Sequence, residues 1–139
     1  MRVAGFGLRR DATLDSLRDA LARALAAAPP AAGPADALAW LAAAQDKADA
    51  ACLRALADEL GLPLCAVAPA QLASIPTLTD SPAVRALRGS GSPAEAAALA
   101  VARRHGGPGA ALLQPRAVSA DRLATCALAG LAPPSRTCP

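Results

Sequence analysis

Three short segments hold most of the residues able to do chemistry. Gly7-Leu8-Arg9-Arg10 sets two guanidiniums beside the end of an apolar run, a placement suited to gripping carboxylates. Gln45-Asp46-Lys47-Ala48-Asp49 concentrates three charges directly before a predicted helix. Asp46 reads as the cap of that helix and Asp49 as a first-turn acid favoured by its dipole. Lys47 is disfavoured at that end, and its mismatch points to an anionic ligand. Gly89-Ser90-Gly91-Ser92-Pro93-Ala94-Glu95 joins a glycine-rich turn to a helix start, where free N–H groups and hydroxyls form an anion cradle. Ser92 and Glu95 satisfy each other as a reciprocal cap, which leaves the cradle to Gly89, Ser90 and Gly91.

Other chemistries are excluded. Gly5-Phe6-Gly7 lacks the third glycine of a dinucleotide fingerprint, and no Lys-Ser/Thr pair follows Gly91 to make a nucleotide P-loop. Cys52, Cys65, Cys126 and Cys138 are scattered, with His105 as the lone imidazole, so no zinc site is expected. Cys65 and Cys126 read as small buried hydrophobes. His105 follows Arg103-Arg104 at a helix end, where positive charge offsets the dipole. No metal and no cofactor are expected.

Composition narrows the field further. The 139 residues fit one domain, and a hydrophobic fraction of 54% is enough for a core, although much of it is alanine. With 1% aromatic residues and a net charge of +3, the chain lacks the stacking platforms and basic blocks of a nucleic-acid module. No apolar run reaches the ~18 residues of a membrane span. The opening Met1–Arg10 is too short in apolar residues for a secretory signal, so a cytoplasmic location is expected.

The elements that must position these residues alternate. Val3 to Gly7 reads as a buried strand, and Leu14, Leu17, Leu21 and Leu25 form one apolar stripe on a helix from Thr13 to about Ala28. After a linker at 31–34 come a strand at 37–44, a helix from about Lys47 to Leu60 closed by Gly61, and a strand at Leu64–Val67. Prolines make 74–91 irregular, a loop long enough to cover a site. A helix from Ser92 to about Arg104, strands at 110–113 and 122–129 forming a hairpin, and a loose tail at 131–139 complete the chain. This order predicts a three-layer α/β/α domain over 1–130 with a mostly parallel, mixed sheet of about five strands. Ligands gather at the carboxyl ends of such strands, so 7–11, 45–49, the loop through Ser90 and 114–119 form the expected rim.

The same residues carry a family resemblance. Gly5-x-Gly7 with its following Arg, Asp46-Lys47-Ala48-Asp49, Leu56-Ala57-Asp58-Glu59-Leu60-Gly61-Leu62-Pro63-Leu64, the run Gly89 to Leu99, Leu112-Leu113 and Thr125-Cys126-Ala127-Leu128-Ala129 resemble the CobE proteins and the C-terminal domain of CbiG. The resemblance runs from Arg2 to about Gly130 and implies a role in building the corrin ring of cobalamin. Full-length CbiG proteins open a precorrin lactone, and this chain resembles only their C-terminal part. Gly7-Leu8-Arg9 stands where the family has Gly-Cys-Arg, which removes any thiol chemistry there. Arg116, in Gln114-Pro115-Arg116, stands where a lysine often follows and keeps the charge without the nucleophile.

Corrin precursors are flat macrocycles fringed with acetate and propionate arms. A rim of Arg9, Arg10, Lys47, Arg116 and a helix start at Gly89–Ser92 suits such arms, with Asp46 beside them. The expectation is a protein that binds a precorrin or hydrogenobyrinic-acid-like tetrapyrrole as carrier or accessory to a pathway enzyme. Two alternatives stand beside it. One is a hydrolase or lyase opening a ring lactone, with Asp46 or Asp49 activating water and Lys47 or Arg9 holding the oxyanion. The other is a non-catalytic partner docking on another cobalamin-pathway enzyme.

Overall fold

The computed structural model describes residues 1–29, 37–73, 93–107 and 109–131. The linker at 31–34, the irregular stretch at 74–91, the cradle residues Gly89, Ser90, Gly91 and Ser92, and the tail beyond 131 lie outside these residues.

The first strand, β1 (Arg2–Leu8), is buried along most of its length, and Phe6 is fully enclosed. Burying that ring contributes roughly 1.5–3 kcal/mol. Helix α1 (Leu14–Ala27) starts at a capping box in which the Ser16 N–H donates to Thr13 Oγ1 at 3.2 Å and Thr13 N–H donates to Ser16 Oγ at 3.2 Å. Its inward stripe is Leu17, Ala20, Leu21 and Ala24. Leu25, expected inside, is 42% exposed, because the smaller Ala24 and Ala28 occupy the inner positions of the last turn.

Strand β2 (Leu38–Ala44) pairs parallel with β1. Helix α2 (Ala51–Leu60) ends on Gly61, whose φ of 68° is the left-handed cap that glycine adopts without steric cost. The helix begins four residues later than its charge pattern implies. The N–H groups of Lys47 and Ala48 both donate to the Ala44 carbonyl, which closes 44–48 into a turn, and Ala50 caps without a side-chain bond. Asp46 is therefore not the cap, and Asp49 lies outside the first helical turn.

Strand β3 (Leu64–Val67) adds parallel to β2, and a short helix α3 (Pro69–Ala73) follows, with Pro69 in the first helical position. Helix α4 (Pro93–Gly106) leads to β4 (Ala110–Val118) and β5 (Ala124–Leu131), an antiparallel hairpin. Strand β4 runs five residues past the expected end at Leu113. It does so because it is the sheet's edge, where Pro115 sits in a bulged stretch between Gln114 and Ala117 and needs no ladder hydrogen bond.

The sheet order is β3-β2-β1-β5-β4, with β1, β2 and β3 parallel and β5 antiparallel to β1. One core joins α1 and α2 to one face through Leu17, Leu21, Leu53, Leu56, Leu41 and Leu128. A second, built from the alanines of α4 with Val3, Val67, Leu99 and Val101, covers the other. The result is the mixed five-stranded α/β/α sandwich that the alternation predicts. Its alanine-rich layer works through close approach. Glycine at position 5 is required because a Cβ there would lie 2.1 Å from the Ala94 carbonyl oxygen and 2.6 Å from the Ala98 nitrogen.

Candidate functional site

Contact between α4 and β1 at Gly5 brings the start of α4 to the carboxyl end of β1, and the β4–β5 turn meets the same end from the other side. The Arg9 N–H donates to the Leu123 carbonyl at 2.8 Å, which ties the loop after β1 to the start of β5. Between these parts opens a cleft of about 850 Å3, within the range of small-molecule sites. It is lined by Gly7–Asp11, Lys47, Pro93, Arg116, Val118 and Arg122–Thr125.

Arg9, Arg10, Lys47 and Arg116, from three separate chain segments, thus meet around one opening. Arg122 joins them as a fifth cation, and Asp11 is the one carboxylate among the described lining residues. The excess of four positive charges exceeds the net +3 of the whole chain, so the charge imbalance of the molecule is concentrated here. Leu8, Pro93, Val118 and Leu123 give the cleft an apolar component, and Val118 is 41% exposed.

The cations of the cleft differ from those elsewhere. Arg18 pairs with Asp15 and Glu59, Arg23 with Asp19, and Arg54 with Asp49. Among the described residues, no ion pair or side-chain hydrogen bond engages Arg9, Arg10, Lys47, Arg116 or Arg122. Five unpaired cations held together repel one another, and an anion entering the cleft relieves that repulsion.

The backbone at two of these arginines is held by long-range contacts. At the bulge of β4 the Arg116 N–H leaves the ladder and donates to Oε2 of Glu95 at 2.9 Å. Glu95 is fully buried and its carboxylate braces the strand that carries Arg116, while the cap expected between it and Ser92 lies outside the described residues. Arg122 stands in the turn rather than in the strand expected from 122 to 129, and its φ is 61°. For a long side chain this left-handed conformation costs about 1–2 kcal/mol. Asp121 holds the turn: Oδ1 accepts from the Ser119 hydroxyl (2.5 Å) and the Leu123 N–H (3.0 Å), and Oδ2 from the Ser16 hydroxyl (2.6 Å). The Ser119 hydroxyl, then that of Ser16 and the Leu123 N–H, hold the Asp121 carboxyl below the usual carboxylate range. Asp19 of α1 accepts the Ala120 N–H at 2.7 Å, which lowers its own pKa, with help from Arg23. Ser119 and Asp121, two turn-forming residues between apolar segments, are a turn signal that could have placed Arg122 correctly.

The remaining expected site residues divide. Asp46 is exposed and absent from the cleft lining. Asp49 lines a separate groove of about 530 Å3 between α2 and β3, where it pairs with Arg54 at 3.2 Å. Ring stacking of His105 on Trp40, with centroids 3.9 Å apart, occurs at the opposite end of α4 from the cleft. Cys126 is buried in the core, and burial pushes its thiol pKa up. Among the described residues no helix is long and apolar enough to cross a membrane.

A family model described as cobalamin synthesis G C-terminus matches residues 2–129. Among solved structures, CobE, a protein of the cobalamin (vitamin B12) biosynthetic pathway, is 36% identical with a TM-score of 0.79, over 97% of this chain and 93% of that one. The cobalamin biosynthesis protein ChiG from Agrobacterium tumefaciens is 33% identical with a TM-score of 0.67, over 96% of this chain and 100% of that one. A putative cobalamin biosynthesis protein G homolog from Sulfolobus solfataricus, 18% identical with a TM-score of 0.57, shares the fold over 92% of this chain and 36% of its own. No match was found among curated protein sequences.

Proposed function

The chain belongs to the cobalamin synthesis G C-terminus family, and on that premise we propose that it serves corrin-ring construction by binding a carboxylate-rich tetrapyrrole intermediate in the cleft at the end of β1. The observation that carries this reading is the set of five cations around one partly apolar opening, none paired among the described residues. Such an opening matches both chemical faces of a precorrin. The ring lies against Leu8, Val118 and Leu123, and the acetate and propionate arms reach Arg9, Arg10, Lys47, Arg116 and Arg122. In this reading the protein acts as a carrier or accessory to a pathway enzyme, and membership of a cobalamin synthesis family supports it.

Binding is favoured over lactone hydrolysis by the position of the acids. The carboxylates expected to activate water, Asp46 and Asp49, do not line the cleft, where Asp11 is the one acid among the described lining residues. The test is calorimetric and absorbance titration of the purified protein with hydrogenobyrinic acid. One-to-one binding in the micromolar range, weakened by added salt, is expected. No heat and no spectral change at high micromolar ligand would overturn the reading.

A further inference from the structure

We infer that Arg122 is a ligand-gripping residue, kept in a left-handed backbone conformation because the polycarboxylate needs its guanidinium at that point of the rim. This rests on the reading of the cleft as a polycarboxylate site and assigns a specificity role within it. Among the described residues Arg122 is the one non-glycine residue with positive φ. Glycine, asparagine or aspartate would take φ 61° more easily, so stability alone does not account for arginine here. Strain in a turn persists when its surroundings over-determine it, and these do. The Arg122 N–H donates to the Ser119 carbonyl (2.9 Å), Asp121 receives three bonds, Asp19 holds Ala120, and Arg9 holds Leu123.

All of this bracing acts on the backbone and on neighbouring side chains. Among the described residues the Arg122 guanidinium takes no partner, and Arg122 lines the cleft with Arg116 and Arg9. A turn fixed from β1, from α1 and from within itself, yet carrying its largest side chain unpaired, presents that side chain to something outside the chain. Arginine suits the task because its planar fork takes a carboxylate bidentately, which a lysine cannot do.

Arg122→Gly separates the backbone's interest from the ligand's. Thermal unfolding and calorimetry with mellitate (benzenehexacarboxylate), a flat polycarboxylate that is not a tetrapyrrole, are run on wild type, Arg122→Gly and Arg122→Lys, and repeated with hydrogenobyrinic acid. The glycine variant is expected to melt at or up to roughly 3 °C above wild type, since relief of the left-handed strain outweighs glycine's added unfolded-state freedom. Its affinity for mellitate should fall about tenfold, as expected for one charge-assisted contact at an exposed rim. The lysine variant should melt like wild type and bind between the two. Mellitate binding unchanged in Arg122→Gly, or absent in wild type, overturns the inference, and so does a melting point several degrees lower, which would make the arginine structural. Arg122-dependent binding of mellitate without binding of hydrogenobyrinic acid would uphold the inference and overturn the tetrapyrrole reading instead.

Discussion

Replacing Gly5 by alanine tests how the alanine-rich layer sets the mouth of the cleft. The added Cβ would lie 2.1 Å from the Ala94 oxygen, 2.6 Å from the Ala98 nitrogen and 2.8 Å from the Ala98 Cβ. Ordinary contact needs more than 3 Å, and two of these neighbours are backbone atoms of a helix, so α4 must move bodily by about 1 Å at this point. Overpacking of that kind costs about 3 kcal/mol, the upper end of the usual range, because no side chain can rotate out of the way. For a chain of this size the melting temperature falls by roughly 10 °C. Two controls calibrate the result. Gly7→Ala meets Thr125 Oγ1 at 2.7 Å, a side chain able to turn, and loses less. Gly61→Ala meets nothing within 4 Å and registers the left-handed cap alone, about 1 kcal/mol. Because α4 also carries Glu95, the Gly5 variant should weaken ligand binding as well. A Gly5→Ala protein melting within 2 °C of wild type would refute the packing argument.

Glu95→Ala leaves the Arg116 N–H without its acceptor in a part-buried site and should destabilise by about 1 kcal/mol, whereas Glu95→Gln keeps an acceptor and loses less in a urea titration. Asp121 and Asp19 have depressed pKa values in the folded state, so their stabilisation is complete above the unfolded carboxylate value near ~4 and is lost as pH falls through the lower folded values. Amide exchange in the 119–124 turn should accordingly accelerate below about pH 4 relative to β1, and Asp121→Asn should remove the Asp121 part of that dependence. Cys126, buried and with its thiol pKa raised, should resist a thiol reagent until the protein is unfolded in denaturant, and prompt native-state labelling at that position would contradict the core assignment.

Sequence patterns made the layers legible because strands and helices alternate with clear punctuation. Leu17 and Leu21 kept their helical spacing, Gly61 ended α2, and Leu64–Val67 formed the expected strand. Errors arose where tertiary contacts overrode local chemistry. Asp46 and Asp49 look like helix-start acids, yet the turn at 44–48 closes on the Ala44 carbonyl and delays the helix. Pro115 signals a strand's end, but an edge strand with a bulge accommodates it.

The cleft was half legible. Arg9, Arg10, Lys47 and Arg116 follow from the rule that ligands collect at carboxyl ends of parallel strands. Arg122 does not, because β5 runs antiparallel and contributes its beginning, rather than its end, to the same opening. The bond from Glu95 to β4 was hidden for a related reason. Its partner lies 21 residues away in sequence and meets it only once α4 packs on the sheet.

Backbone amide chemical-shift mapping during titration with hydrogenobyrinic acid reads both where the ligand binds and how tightly. Saturable shifts are expected at Gly7–Asp11, Lys47 and Arg116–Thr125, with the α2–β3 groove around Asp49 and Arg54 unmoved. Shifts centred on that groove, or spread evenly over the surface, would contradict binding in the cleft.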